Sequence, residues 1–245
     1  HMVSEPHDYN YEKWGYDEPE RWGELKPEYT MCSAGKNQSP VDISGLIKGE
    51  LPAVGMNYSS GGHEVINNGH TIQVNYKPGS KASVDGREFE LKQFHFHAPS
   101  ENTVDGKSFP LEAHFVHANE NGELAVLSVL YEEGEHNEQL AKVWEHMPAE
   151  AGGSKVLPTA VHAGDMVSAS AGYYRFNGSL TTPPCSEGVR WLVMKDYRTA
   201  SKEQINQFME TMGGPTNRPV QGVNARIILH KLAAALEHHH HHHHH

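Results

Sequence analysis

Gln93-Phe94-His95-Phe96-His97 and Leu111-Glu112-Ala113-His114-Phe115-Val116-His117 carry the two-residue period of a strand. Successive strand side chains point to opposite faces, so His95 and His97 share one face and Phe94 and Phe96 the other. In the second stretch Glu112, His114 and Val116 lie together, with Ala113, Phe115 and His117 opposite. A second strand laid beside the first brings His114 up to His95 and His97. It leaves His117 as a buried, hydrogen-bonded histidine. Three neutral imidazoles fill three positions of a tetrahedral zinc and leave the fourth open, the property that separates a catalytic zinc from a structural one. One Zn2+ per chain, making zinc-bound hydroxide, is the expectation. Glu112 precedes His114 by two residues, as Gln93 precedes His95. Each is placed to accept the distal ring N–H, which fixes the tautomer and raises ligand basicity.

Outward from these stretches, strand-like segments run over Glu64–Asn67, Thr71–Tyr76, Glu88–His97, Leu111–His117, Leu124–Tyr131, Tyr173–Phe176 and Val189–Tyr197. Asn68-Gly69, Asp85-Gly86, Asp105-Gly106 and Asn121-Gly122 supply the positive φ of hairpin turns. Two helices are predicted. Ser201-Lys202-Glu203-Gln204 is a capping box, followed by Ile205, Phe208, Met209 and Met212 at helical spacing and ended by Gly213-Gly214-Pro215. The other runs from Asn137 to Met147, with Leu140, Val143, Trp144 and Met147 on one stripe. Trp14, Tyr16, Trp22 and Tyr29 are expected to anchor the polar N-terminal segment. Few helices without regular β-α alternation predict a mainly β fold (α+β by some schemes): a large, mostly antiparallel, twisted sheet of about ten strands with short peripheral helices.

The chain has 245 residues and twenty histidines. His238–His245 form an affinity tag behind the vector-like Lys231–Glu237, and His1-Met2 is a cloning remnant. Residues 1–230 are therefore expected to form one domain, with 231–245 outside it. The net charge of −11 argues against nucleic acid, whose phosphates need a Lys and Arg excess. No membrane span is expected, because the longest apolar run, Leu124–Tyr131, has strand length and is broken by Ser128. Cys32 and Cys185 form no Cys-x-x-Cys pattern. On composition they are either two buried thiols or one disulfide in an oxidising compartment.

Several further stretches occur in order: Asn37-Gln38-Ser39-Pro40-Val41-Asp42-Ile43, Asn67-Asn68-Gly69-His70, Ser100-Glu101-Asn102-Thr103-Val104 and Ser179-Leu180-Thr181-Thr182-Pro183-Pro184. With the two histidine strands they resemble the α-class carbonic anhydrases, from Trp14-Gly15-Tyr16 to Asn224-Ala225-Arg226. The resemblance implies the α-carbonic anhydrase fold and a lyase that reversibly hydrates carbon dioxide to bicarbonate and a proton. Zinc on His95, His97 and His114 would acidify its bound water, as is known for carbonic anhydrases in general. Glu101 and Thr181 would form a gate. An ionised carboxylate only accepts hydrogen bonds. If Glu101 takes the Thr181 hydroxyl proton, Thr181 can only accept from the zinc ligand, which must then carry a proton. Val116, Val126, Leu180, Val189 and Trp191 match an apolar wall for carbon dioxide, and Thr182 would help hold bicarbonate.

His70 matches the proton shuttle, since a group titrating near neutrality moves protons best. Tyr16, Asn68 and Gln73 would order the intervening waters. Asn224 and Arg226 match a C-terminal pair, with Asn224 behind the zinc ligands and Arg226 tying its segment to the Thr181 loop. Cys32 and Cys185 match the disulfide of secreted members, pinning that loop to the N-terminal region. Aromatic sulfonamides and small anions are the implied inhibitors, with incidental esterase activity.

Gln73, Asn102 and Ala98-Pro99 depart from common family residues at the water network and pocket rim. The chain looks most like bacterial periplasmic or secreted members, many of which are homodimers, with any signal peptide outside this sequence. Two rival readings fit the sequence less well. His95-x-His97 with Glu101 fits part of a cupin-type oxygenase motif, but the flanking glycines are missing. A non-catalytic family member acting as a binding module would lack one or more of the zinc histidines, and all three are present.

Overall fold

The computed structural model describes residues 13–233; His1-Met2 and the tag lie outside the described residues. Among the described residues, a mixed sheet of thirteen strands is accompanied by a parallel two-stranded sheet of Asp42–Ile43 and Thr103–Val104. Ten of the thirteen lie on one path, in the order Ser154–Val161, Gly62–Asn67, Ile72–Tyr76, Arg87–His97, Leu111–Ala118, Leu124–Glu133, Glu187–Met194, Tyr173–Ser179, Leu229–Lys231 and Ile47–Lys48. Gly55–Tyr58 pairs with Ser80–Val84, which pairs with Arg87–His97, and Arg198–Ala200 pairs with Leu124–Glu133. Most ladders are antiparallel. Parallel ladders join Leu124–Glu133 to Glu187–Met194 and to Arg198–Ala200, and Leu229–Lys231 to Ile47–Lys48. Lys231, paired with Tyr173, carries the last strand one residue past the boundary expected at 230.

The two histidine strands sit at the middle of this path, where both sheet faces are covered. Phe94, Phe96 and Phe115 are fully buried in the larger core, with Leu140, Val143 and Trp144 of the helix Glu138–Trp144 and Ile205 and Phe208 of the helix Lys202–Met212. Asn137 caps the first helix by accepting from the Gln139 and Leu140 N–H groups. That helix stops at Trp144, short of the expected Met147. His146 and Met147 instead bond three residues back, to Val143 and Trp144, a 3-10-type tightening of the end. The second helix has its capping box at Ser201–Gln204 and ends on Gly213 at φ 81°.

A second core, including Val126, Val189, Trp191, Val193 and Ile228, packs around the strand Glu187–Met194. The N-terminal segment is held by a third cluster, in which Trp14, Tyr16, Leu25 and Tyr29 pack on Trp22 and on the Cys32–Cys185 disulfide. Of the two alternatives for the cysteines, the structure has the disulfide.

Candidate metal centre

Register alone brings the three histidines together. In the antiparallel ladder of Arg87–His97 with Leu111–Ala118, His95 pairs with His114 and His97 with Glu112. One candidate nitrogen from each of His95, His97 and His114 lies within 4.8 Å of the others. The outward nitrogen of each ring is engaged. Nδ1 of His95 donates to Gln93 Oε1 at 2.8 Å, Nδ1 of His97 to the Thr216 carbonyl at 2.7 Å, and Nε2 of His114 to Glu112 Oε2 at 2.8 Å. A carbonyl or carboxylate oxygen only accepts, so these contacts fix the protonated nitrogen on each ring. The lone pairs of His95 Nε2, His97 Nε2 and His114 Nδ1 are then left facing inward. His97 Nε2 is buried without a hydrogen-bond partner among the described residues. A buried acceptor so left is costly unless something fills the space, and three convergent imidazole lone pairs fit a borderline-soft divalent cation such as zinc.

Glu112 is held by five donors: the N–H groups of Glu101 and Asn102 on Oε1, and Asn102 Nδ2, His114 Nε2 and the Ser128 hydroxyl on Oε2. Burial acts to raise its pKa, but His114 and these hydrogen bonds bring it well below the carboxylate range. His114 moves the opposite way: burial lowers it and Glu112 more than reverses this. Burial, then its histidine neighbours, hold His95 well below its ordinary value and His97 down at about 3, so both stay neutral and able to ligate.

Glu101 is 1% exposed, and burial pushes its pKa up to about 8 against the pull of His114, the Thr181 hydroxyl and the Arg218 N–H. Oε2 accepts from Arg218 N–H at 2.8 Å. Oε1 has no hydrogen-bond partner of good geometry among the described residues and lies 3.3 Å from His97 Nε2. A cation among the rings would favour the ionised carboxylate.

Above the histidines opens a cavity of ≈ 170 Å³. That is small beside the ≈ 300–1,000 Å³ of typical ligand sites, and it suits a substrate of a few atoms. Its lining includes the apolar Val116, Val126, Leu180 and Trp191 and the hydroxyl-bearing Thr181 and Thr182. Tyr16, Asn68, His70, Gln73 and Gln93 also line it. His70 is half-buried and stacks on Trp14, ring centroids 3.6 Å apart and 9° from parallel. Burial, then the charge of Lys13, lowers its pKa. Asn68 accepts from the His70 and Thr71 N–H groups and shapes the turn that presents His70. Gln73 donates to Asn75, and burial, then Glu101, raises the Tyr16 phenol.

Two expected site residues lie elsewhere. Val189 is buried in the second core with Val126 and Trp191 and does not line the cavity, because it sits one pleat further along the strand than Trp191. Asn224 is at the surface, its amide donating to the Lys36 and Gly222 carbonyls, and does not touch the three histidines. Arg226 binds the Val223, Asn177, Gln38 and Gly222 carbonyls, not the Thr181 loop. The C-terminal contacts to the centre come from Thr216 and Arg218. Sequence reasoning missed both, together with Ser128 and Trp14 as site residues. Ser128 left a signal, as the polar residue in the otherwise apolar run Leu124–Tyr131 and the register partner of His114. A main-chain carbonyl such as that of Thr216 leaves none.

Fold and site together define a class: a large twisted, mixed β-sheet that carries three histidines able to hold a metal ion. The family model for eukaryotic-type carbonic anhydrase matches residues 17–232, and the chain belongs to that family, the zinc-dependent α class, whose activity is hydration of carbon dioxide. A carbonic anhydrase of Neisseria gonorrhoeae is 50% identical over 224 residues, covering 90% of this chain and 88% of its own. The structure of a hyperthermostable carbonic anhydrase from an active hydrothermal vent chimney has a TM-score of 0.87 at 56% identity, covering 89% of this chain and 100% of its own. The α-carbonic anhydrase of Thermovibrio ammonificans, solved with sulfanilamide, has a TM-score of 0.87 at 49% identity, covering 89% and 98%.

Proposed function

We propose that His95, His97 and His114 hold one zinc ion and that this chain hydrates carbon dioxide there. The observation that carries the proposal is the inward convergence of three imidazole lone pairs, one of them on a buried nitrogen without a partner. When bound, zinc supplies Lewis acidity that lowers the pKa of a coordinated water to about 7, carbonic anhydrase being the standard case. The protein's residues do the rest. Gln93, Thr216 and Glu112 fix the tautomers and aim the three rings. Glu101 accepts the Thr181 hydroxyl proton, so Thr181 only accepts from the group on the open side and selects one that carries a proton. Val116, Val126, Leu180 and Trp191 keep water from the reacting carbon, and Thr182 orients the product. His70 carries the released proton outward, across waters ordered by Tyr16, Asn68 and Gln73.

Zinc analysis combined with hydration kinetics of Glu101→Gln and Thr181→Val tests these roles. One equivalent of zinc is expected, with kcat/KM reduced about a hundredfold in each variant, the size of one lost transition-state hydrogen bond. Unchanged kcat/KM would remove the gate. Sulfonamides and small anions are the expected inhibitors, as the sulfanilamide complex of the Thermovibrio ammonificans relative supports. The Cys32–Cys185 disulfide supports a periplasmic or secreted setting. No described helix is long and apolar enough to cross a membrane. Sedimentation equilibrium tests the homodimer expected from bacterial relatives.

A further inference from the structure

Arg218 is 2% exposed, yet every polar contact it makes leads to the segment before residue 40 or to Glu101. Its Nη1 donates to Gln38 Oε1 at 2.9 Å and to the Ser39 carbonyl at 2.8 Å, and its Nη2 donates to the Cys32 carbonyl at 3.0 Å. The guanidinium carbon lies 5.6 Å from the centre of the Trp22 ring. Its backbone N–H donates to Glu101 Oε2 at 2.8 Å.

The segment it grips holds both ends of the Thr181 loop. Ser39 and Ser179 exchange hydrogen bonds, Ser39 N–H to Ser179 Oγ at 2.8 Å and Ser179 N–H to Ser39 Oγ at 3.1 Å. Gln38 Nε2 donates to the Cys185 carbonyl at 3.1 Å and to Glu187 Oε2 at 2.8 Å, and Cys32 is bonded to Cys185. Thr181 lies between these two anchors.

We propose that Arg218 is a positioning residue that sets the spacing of Glu101 and Thr181, its main chain holding one partner and its side chain the other. This rests on the gate assigned to those two residues above. A carboxylate is planar and rigid, so fixing Oε2 through the Arg218 N–H also fixes where Oε1 faces, which is toward His97 and the Thr181 side of the site. The guanidinium fork is what lets one side chain reach three acceptors at once. A lysine keeps the charge and the backbone N–H but presents a single ammonium, and it cannot span Gln38, Ser39 and Cys32 together. The arrangement also explains why a buried cation stands so near the centre without lining the cavity: it acts on the spacing of the site's parts, not on substrate.

The test is Arg218→Lys in the zinc-loaded enzyme, read by stopped-flow hydration, by calorimetric sulfanilamide binding and by hydrogen exchange of the residue-218 amide. The expected result is full zinc content, kcat/KM about tenfold lower, the sulfanilamide dissociation constant raised by a similar factor, and faster exchange, as for loss of one hydrogen bond to a charged group. A residue that merely supports the fold would lower the melting temperature and leave kcat/KM and sulfanilamide affinity per zinc unchanged, and that result overturns the proposal. Should Arg218→Lys fail to fold, Gln38→Leu removes an acceptor of Arg218 together with the Nε2 donors to Cys185 and Glu187, whereas Gln38→Glu removes those donors and keeps the acceptor. A kcat/KM lower in Gln38→Leu than in Gln38→Glu at full zinc content then supports the proposal, and equal values overturn it. Glu101→Gln separates the layers: if it is neutral the gate itself fails, whereas a damaging Glu101→Gln with neutral Arg218→Lys defeats only the role of Arg218.

Discussion

Acidification from pH 7 to 5 is expected to remove about 2 kcal/mol of stability through His117 alone. His117 is 0% exposed. Its Nδ1 donates to the carbonyls of Phe115 at 2.8 Å and Ala125 at 3.3 Å, so Nε2 is the acceptor for the Tyr58 hydroxyl at 2.7 Å. Burial lowers the pKa of the ring from 6.5 to about 4, against the opposing pull of the two carbonyls. The unfolded chain takes up this proton near 6.5 and the folded chain only near 4, so between those values the unfolded state binds more protons. Stability from this group is therefore present above 6.5 and lost as pH falls toward 4. The whole gap corresponds to about 3 kcal/mol, of which about 2 falls between pH 7 and 5. Urea unfolding of the parent and of His117→Asn at both pH values isolates the effect, because every other titrating group is common to both. The asparagine amide keeps a donor for Phe115 but leaves the Tyr58 hydroxyl without its acceptor, costing about 1–3 kcal/mol at pH 7. The parent's advantage should close or reverse at pH 5. An advantage that is the same at both pH values would refute the reasoning.

Replacing both Cys32 and Cys185 by Ala opens a crosslink between residues 153 apart in sequence. The chain-entropy model puts its contribution at about 5 kcal/mol, on the order of a 10–20 °C fall in Tm for a chain of this size, measurable by calorimetry. An unchanged Tm would contradict that. His70→Ala should lower kcat about tenfold or more in weak buffer, leave kcat/KM unchanged and be rescued by imidazole, because proton return follows carbon dioxide conversion. Unchanged kcat would remove His70 from the route. Trp14→Leu uncovers the His70 ring and should move the midpoint of the kcat–pH profile upward, since relief of burial favours the charged imidazole. A midpoint that stays or falls would count against this. Glu112→Gln should weaken zinc binding about 10–100-fold in a chelator competition, and undiminished affinity would mean that Glu112 does not support His114.

What the sequence made legible was local. Period-two alternation placed His95, His97 and His114 on one face and His117 on the other, and the register observed for the two strands follows it. The strands Ser80–Val84 and Ser154–Val161 were not anticipated, for different reasons. In the first, Ser80 and Ala82 alternate inward but are small and carry little hydrophobic signal. The second holds Pro158 and is an edge strand with Val156 76% exposed, so its pairing leaves almost no apolar pattern. The contacts that complete the centre are long-range. Thr216 reaches His97 across 119 residues through a main-chain oxygen, and Arg218 reaches Glu101 across 117 through a main-chain N–H. Neither contact depends on a side-chain type, and the family resemblance points instead to Asn224 and Arg226, a few residues further along the chain.

The central claim is that three inward-facing imidazoles and the gate beside them make a carbon dioxide hydratase. Stopped-flow hydration by the protein with one equivalent of zinc, with and without an aromatic sulfonamide, tests it most directly. The account predicts rapid hydration that the sulfonamide abolishes and that is absent from the zinc-free protein. Full zinc occupancy with no sulfonamide-sensitive hydration would contradict it.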